Sequence, residues 1–479
     1  MATPFIRTQM LPPKSPPVSE RGVVKWMHEN LFSSWLNAIL TLLAAVVLWQ
    51  FVALSLPWLL HSVWVADSLG QCRDIIAGAW GPDASGACWA VIRDRWDQFI
   101  FGFYPPDLWY RVILSFGVLL VALVPVLFAA DHRNALRLLG PVAILTLMAL
   151  LAVGTPAPVY VLAGLFFVAC AWFAADHPTR LIPVSLIYPF FAVWMLWGGS
   201  AWGAIVAALG FVVMWAVYWL TGRATGVVIG TSLGVIGAAI WWILVSGPLE
   251  TVLQGVVPLA ITAVESDKFG GFMLAFVIGV SSISISLPIG ILLALGRQSD
   301  MPLIHGLSVG FIEFVRGVPL ITMLFTASLL LQYFLPPQVQ FDLILRVVIL
   351  VTLFSAAYNA EVIRGGLAAL PKGQYEAADA LGLDYWQSQR LIIMPQALKV
   401  SIPGIVNTFI GLFKDTTLVS FVGLMDPLRG VTNIVRADIN WKGIYWEPYI
   451  FVGAIFFVSC YGMSRYALYL ERKLKTDHR

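Results

Sequence analysis

Glu376-Ala377-Ala378-Asp379-Ala380-Leu381-Gly382, followed by Ile392-Ile393-Met394-Pro395, is a polar, helix-prone segment between apolar runs long enough to cross a membrane. Pro371 precedes it, and Pro395 and Pro403 follow it, which reads as a short helical device set off from its flanking spans by proline. The chain around it has the composition of an integral membrane protein. It is 59% hydrophobic and 11% charged, against roughly a quarter charged in a soluble domain. A spanning helix needs about 20 apolar residues. That criterion yields about twelve spans, at 36–59, 110–130, 138–154, 157–175, 181–198, 202–220, 226–246, 271–295, 317–335, 345–363, 403–424 and 449–470. The expected fold is therefore all-α.

Lys and Arg set the orientation. With both termini in the cytoplasm, the inner segments hold most of the 29 Lys and Arg, among them Arg7, Lys14, Arg21 and Lys25 at one end and Arg472, Lys473, Lys475 and Arg479 at the other. The outer loop 425–448 carries Arg429, Arg436 and Lys442, so the rule holds on balance only. Five prolines between Pro4 and Pro17 predict a disordered cytoplasmic tail over residues 1–30. The first apolar run is long enough to stay as an anchor instead of being cleaved. Cys72 and Cys88 share the loop 60–109, placed outside, where an oxidising compartment favours a disulfide over two free thiols.

Gly226, Gly230 and Gly234 recur every fourth residue with Gly237 close by, a spacing that lets helix backbones approach closely in lipid; glycine tolerated by chance is the competing reading. Trp58, Trp64, Trp241 and Trp242 read as interfacial belt residues. The sequence has no phosphate-binding Gly-x-x-x-x-Gly-Lys-Ser/Thr loop, no metal-ligand spacing and no basic stripe suited to nucleic acid, so no cofactor, metal or nucleic acid is expected on this chain.

The spacing Glu376-Ala377-Ala378, three residues, Gly382, nine residues, Ile392, then Met394-Pro395 resembles the cytoplasmic coupling loop of ABC importer permeases, with Met394 where that family has Leu. Arg316-Gly317-Val318-Pro319-Leu320 and the run Tyr358 to Leu367 resemble the polar amino acid branch. Glu20 to Trp26, leading into Asn37-Ala38-Ile39-Leu40, resembles the long permease subunit of general L-amino-acid transporters. The resemblance implies a five-helix type I importer permease core over 268–475, with its coupling loop at 371–396, preceded by extra helices over 31–250. It implies two ATPase subunits carrying ATP and Mg, a second permease subunit (a homologous but different chain), a periplasmic amino-acid-binding protein, and the inner membrane of a Gram-negative bacterium. Glu376, Ala377, Ala378, Gly382 and Pro395 are then the residues that couple to the ATPase, with Gly382 making the turn between two short helices.

Lys414-Asp415-Thr416 lies about halfway along its span, where a charge costs roughly 2.5–3.5 kcal/mol on the insertion scale. An ammonium beside a carboxylate suits a zwitterionic ligand, and the family resemblance extends to this motif; an internal ion pair is the plainer reading. Glu361 and Arg316 complete the expected substrate pathway; Glu361 and Arg364, at the inner end of their span, alternatively form gate or interface ion pairs or snorkel to the water boundary. An ion-gradient-driven amino acid transporter is the rival function, and a membrane scaffold a further one; neither accounts for the polar loop.

Overall fold

The computed structural model describes residues 22–129, 131–334 and 342–475. They are almost entirely helical and fall into two compact units, Met1–Asp94 with Ile439–Glu447, and Arg95–Asp438 with Pro448–Arg479. The first thus takes in a segment from far along the sequence.

In the first unit, α1 (Gly22–Asn30) leads to the apolar α2 (Trp35–Leu60), then α3 (Leu69–Trp80) and α4 (Ala90–Asp94). Of the tail expected over 1–30, residues 1–21 lie outside the described part, and the remainder is corrected: Gly22–Asn30 is a helix. The last of the five prolines is Pro17, and Lys25 and Glu29 pair one turn apart. Cys72 and Cys88, both buried, are joined by a disulfide. Beside it the Glu447 carboxylate accepts the Cys88 N–H at 2.7 Å. The indole of Trp441, fully buried, donates to Asp94 at 2.7 Å. Two connections expected outside, 60–109 and 425–448, therefore interlock.

The second unit holds α5 (Trp96–Phe101), α6 (Trp109–Leu127), α7 (His132–Ala152), α8 (Ala157–Asp176), α9 (Ile182–Trp197), α10 (Ala201–Thr225), α11 (Val227–Ile240), α12 (Ser246–Val256), α13 (Gly271–Arg297), α14 (Pro302–Gly317), α15 (Leu320–Phe334), α16 (Leu343–Ala368), α17 (Lys372–Ala380), α18 (Tyr385–Ser388), α19 (Met394–Asp415), α20 (Pro427–Ala437) and most of α21 (Trp446–Lys475). A two-residue ladder pairs β1 (Gly199–Ser200) with β2 (Ala260–Ile261). Among the described residues, eleven helices are long and apolar enough to span a membrane, and the α14–α15 pair brings the number to twelve.

The ninth span, expected over 317–335, is carried by α15, which starts at Leu320; the addition is α14 before it, not expected from the sequence, which meets α15 at 100°, and residues 335–341 lie outside the described part. Val318 precedes Pro319, which pushes it into extended backbone, φ −103° and ψ 131°. The seventh span also differs, running from Ile229 to Val256 instead of ending at 246. A π-turn at Trp241–Val245 carries the helix past Pro248. Trp241 and Trp242 consequently sit inside the span, where their indoles donate to the carbonyls of Val206 and Ala207 on α10 at 2.9 and 3.0 Å. They tie two helices together rather than forming a belt. The glycines of α11 do meet a neighbour closely. A Cβ on Gly230 would lie 2.6 Å from the Gly222 Cα, and one on Gly234 would lie 2.8 Å from the Met214 carbonyl.

Contacts between connections respect the expected sidedness. Gly102 bridges to Phe269 and Gly270 to Met425, all outer by the sequence reading. At the other end, the Tyr469 hydroxyl donates to Asp131 at 3.0 Å, and the Tyr466 hydroxyl to the Leu127 carbonyl at 2.7 Å. One apolar core joins the early and late helices of this unit. Tyr104, Leu108, Val112 and Leu196 pack with Leu274, Ile278, Ile344, Val347 and Leu412.

Candidate functional site

The polar loop forms two helical pieces around a tight turn. α17 starts after Pro371 and ends at Ala380, and Gly382 then takes φ +69°, in the left-handed region that glycine enters freely. Its N–H donates to the Asp379 carbonyl at 2.9 Å and that of Leu383 to Ala378 at 3.3 Å, satisfying carbonyls the helix end would leave open. Asp384 opens α18 with a capping box, its side chain accepting from the Gln387 N–H while the Gln387 side chain accepts from the Asp384 N–H.

From there the helix does not stop. A π-turn at Gln389–Ile393 runs directly into α19, with Pro395 in its first turn and Pro403 inside it. Proline as the border of the loop is therefore a correction on this side. In the first turn proline's missing N–H is one of the helix's free donors anyway. The loop and the span behind it form a single helical run, Tyr385–Val422.

Glu376, Ala377, Gly382 and Pro395 are exposed, whereas Ala378 is fully buried and seats the loop on the protein. Gln396 reinforces that seat by donating to Gln374 at 2.9 Å. Facing outward are Leu381, 72% exposed, and Tyr385 and Trp386, each 53% exposed. This apolar knob was not singled out from the sequence. Its signal, three large apolar residues within a polar loop, is present there.

Glu361 and Arg316 come together, with more company than expected. At the ends of α13, α14 and α16 the Glu361 carboxylate is reached by Arg297 at 2.6 Å, Arg364 at 3.1 Å and Arg316 at 3.7 Å. Arg297 also reaches Glu313 at 2.9 Å. The Arg316 guanidinium lies over the Tyr358 ring, 5.5 Å from its centre. Arg297 and Glu313 went unread because each looks like an ordinary charge at a helix end. Only the fold brings them to Glu361.

Lys414, Asp415 and Thr416 lie where α19 gives way to a 3₁₀ turn, Thr416–Val422, so the charges stand at a helix break. Thr416 is fully buried and Lys414 exposed, and no carboxylate among the described residues lies within ion-pair distance of Lys414. Room for this turn comes from Gly279 on α13, whose Cβ would lie 2.9 Å from the Phe413 ring and 3.7 Å from the Thr416 methyl. No bond joins this trio to the Glu361 cluster among the described residues, so the expected pathway residues form two separate places.

Between α13 and α16 runs a polar seam that sequence reasoning missed. Ser282, Ser286, Thr352, Ser355 and Asn359 are all buried. Asn359 donates to Ser286 at 3.2 Å, while Thr352 Oγ1, Ser355 Oγ and Asn359 Oδ1 have no partner among the described residues. The signal was legible, since 352, 355 and 359 share one helical face.

Asp426 caps α20, accepting from the N–H groups of Leu428 and Arg429 at 3.1 and 3.0 Å. Burial pushes its carboxyl up to about 6, against the pull of those N–H groups and the Arg429 charge. No group of three or more His, Cys, Asp or Glu among the described residues is arranged to hold a metal.

The sequence profile described as "Binding-protein-dependent transport system inner membrane component" matches residues 286–476. Along its whole length the chain is similar to the glutamate/glutamine/aspartate/asparagine transport system permease protein BztC of Rhodobacter capsulatus, 57% identical over 477 residues, covering 100% of this chain and 99% of the relative. The inner membrane amino-acid ABC transporter permease protein YhdY of Escherichia coli K12 is 34% identical over 467 residues, covering 97% of this chain and 96% of the relative. A shorter relative, the arginine transport system permease protein ArtQ of Bacillus subtilis, is 35% identical over 210 residues, which cover 43% of this chain and 92% of the relative.

Proposed function

The chain belongs to the binding-protein-dependent inner-membrane permeases of amino-acid ABC transporters, and on that premise we propose that it carries acidic amino acids and their amides inward, powered by separate ATPase subunits. The substrate class follows the name of the relative that matches it end to end. The assembly would hold two ATPases with their ATP and Mg, a second permease chain homologous to this one, and a periplasmic amino-acid-binding protein, with both termini of this chain in the cytoplasm. Its helices after residue 268 would form the permease core, and those over 31–250 an addition to it.

The observation that carries the coupling reading is the build of the loop 371–396. Buried Ala378 and the Gln374–Gln396 bond hold it firmly, the run into α19 is unbroken, and Leu381, Tyr385 and Trp386 stand out to meet a partner. A push on that knob is transmitted along α19 to Lys414 and Asp415. The Glu361 cluster binds the ends of α13, α14 and α16 into one body, so that ATPase closure shifts these helices together between two states stabilised to different degrees. Exposed Lys414 would supply the charge an acidic ligand needs.

The test is co-purification of tagged wild type and Gly382→Asp with the ATPase subunits. A side chain at Gly382 meets nothing within 4 Å, so the variant alters the turn without a clash elsewhere. Wild type is expected to retain the ATPase and the variant to lose it. Equal retention by both would remove the loop from the coupling role.

A further inference from the structure

Arg111 is a charged residue only 3% exposed, within the membrane-spanning stretch that begins at Pro106. Its Nη1 donates to the Thr262 carbonyl at 2.7 Å and its Nε to the Tyr110 hydroxyl at 3.4 Å. No carboxylate among the described residues lies within ion-pair distance of it. A buried guanidinium with its full positive charge left over is costly unless an anion neutralises it.

The same side chain lines an open-sided groove of about 520 Å³ bounded by α6, α8 and α9, with Ile261 of β2 also lining it, a volume typical of ligand sites. Apart from Arg111, the lining is almost wholly apolar, with Leu114, Ala163, Phe166 and Ile187 typical of it. Along α9 it extends from Pro183 to Met195, which is ~18 Å at 1.5 Å per residue. One leaflet of a bilayer has a hydrocarbon depth of roughly 15 Å, half of ~30 Å. The groove is thus about one acyl chain long, with its charge at one end. Trp194, which also lines it, has a buried indole N–H with no partner among the described residues.

We propose that this groove is a binding site for an anionic phospholipid, one acyl chain lying along α9 between α6 and α8 and the phosphate on the Arg111 guanidinium. The sequence reading places the Arg111 end of α6 outside, so the lipid comes from the outer leaflet. A guanidinium holds phosphate by charge-assisted hydrogen bonds, and a net negative headgroup supplies the missing counter-charge. The proposal is independent of the transport reading, since none of these residues belongs to the loop, the Glu361 cluster or the Lys414 turn.

Native mass spectrometry of the full-length chain in detergent, titrated with dioleoyl phosphatidylglycerol or dioleoyl phosphatidylcholine, tests it. Wild type should bind the first about tenfold more tightly. Arg111→Gln should abolish that preference, and Arg111→Lys should keep most of it. Should Arg111→Gln prove unstable, Ala163→Trp, which fills the groove from α8 and leaves the charge in place, should weaken both lipids several-fold. Equal binding of the two lipids by wild type, an unchanged preference in Arg111→Gln, or undiminished binding in Ala163→Trp would overturn the site. Tighter binding of oleate than of phosphatidylglycerol would overturn the phospholipid as its occupant.

Discussion

The helices before residue 257 and those after 270 share an apolar composition, yet their seams are made differently. α10 and α11 meet backbone to backbone, with Gly222 and Gly230 in contact and the Trp241 and Trp242 indoles as clasps. α13, α16 and α19 also approach at glycines, Gly290 and Gly366. Their contact surfaces, however, carry buried hydroxyls and an amide, several unpartnered, and end in an arginine-rich cluster. A glycine seam closed by satisfied indoles has one good arrangement. A seam with unspent hydrogen-bonding groups can gain bonds by sliding, so a second arrangement lies within reach. The early seam suits a scaffold and the late one a moving part.

The largest effect that could break this contrast is truncation. If the early helices were a detachable addition, a chain cut to residues 257–479 would fold by itself. The shared core of Tyr104, Leu108, Val112 and Leu196 with Leu274, Ile344 and Leu412 predicts otherwise. The cut chain should express poorly and melt well below the full one in a thermal-shift assay, having lost the packing partners of this shared core.

Glu361→Ala comes next. It leaves three arginines near one another with only Glu313 still beside Arg297, a loss between the ~1 kcal/mol of an exposed pair and the ~3–5 kcal/mol of a buried one. Both melting temperature and uptake should fall, whereas Glu361→Asp should recover part of each.

The sharpest comparison is a matched pair of glycines. A Cβ on Gly366 would lie 2.0 Å from Ser401 Oγ and 2.6 Å from the Ala397 carbonyl, and one on Gly230 would lie 2.6 Å from the Gly222 Cα. Gly366→Ala and Gly230→Ala should each cost stability, of the order of 1–3 kcal/mol for overpacking. Only Gly366→Ala should also change the ratio of ATP hydrolysed to amino acid carried. An equal change in both would erase the distinction between scaffold and moving part.

A smaller effect concerns pH. The Asp426 carboxyl is raised by burial from 3.8 to about 6 in the folded chain, so the folded state holds its proton more tightly than the unfolded state. Stability should decline as pH rises from about 4 to about 6 and stay level above that, by at most about 3 kcal/mol. Asp426→Asn, which keeps a capping oxygen, should flatten the slope in pH-dependent melting.

Much of this was legible in the sequence because it rests on local rules. Span length follows from apolar runs, and the Gly382 turn from the one residue that enters positive φ freely. Pro319 at the entry of the ninth span is legible, but α14 before it, with a charge that meets Arg297 among its apolar residues, does not read as part of a span, so the 100° bend is not legible. The seventh span reads as ending at 246 because Gly247-Pro248 follows, and Trp241 and Trp242 read as its interfacial end because tryptophan commonly marks an interface. Carbonyls on α10, a neighbour that spacing alone does not reveal, decide the matter. The Glu361 cluster joins residues 297, 313, 316, 361 and 364 from three helices, and no local pattern announces such a meeting.

The central claim is that this chain moves amino acids by force received through the loop 371–396. Reconstituted vesicles containing the chain, its permease partner and the ATPases, with glutamate-loaded binding protein outside and ATP inside, test it most directly through labelled glutamate uptake. Uptake should require ATP, persist in the presence of an uncoupler, and fall at least tenfold in Gly382→Asp. Uptake that continues without ATP and collapses with the uncoupler would contradict the account and point to an ion gradient as the driving force.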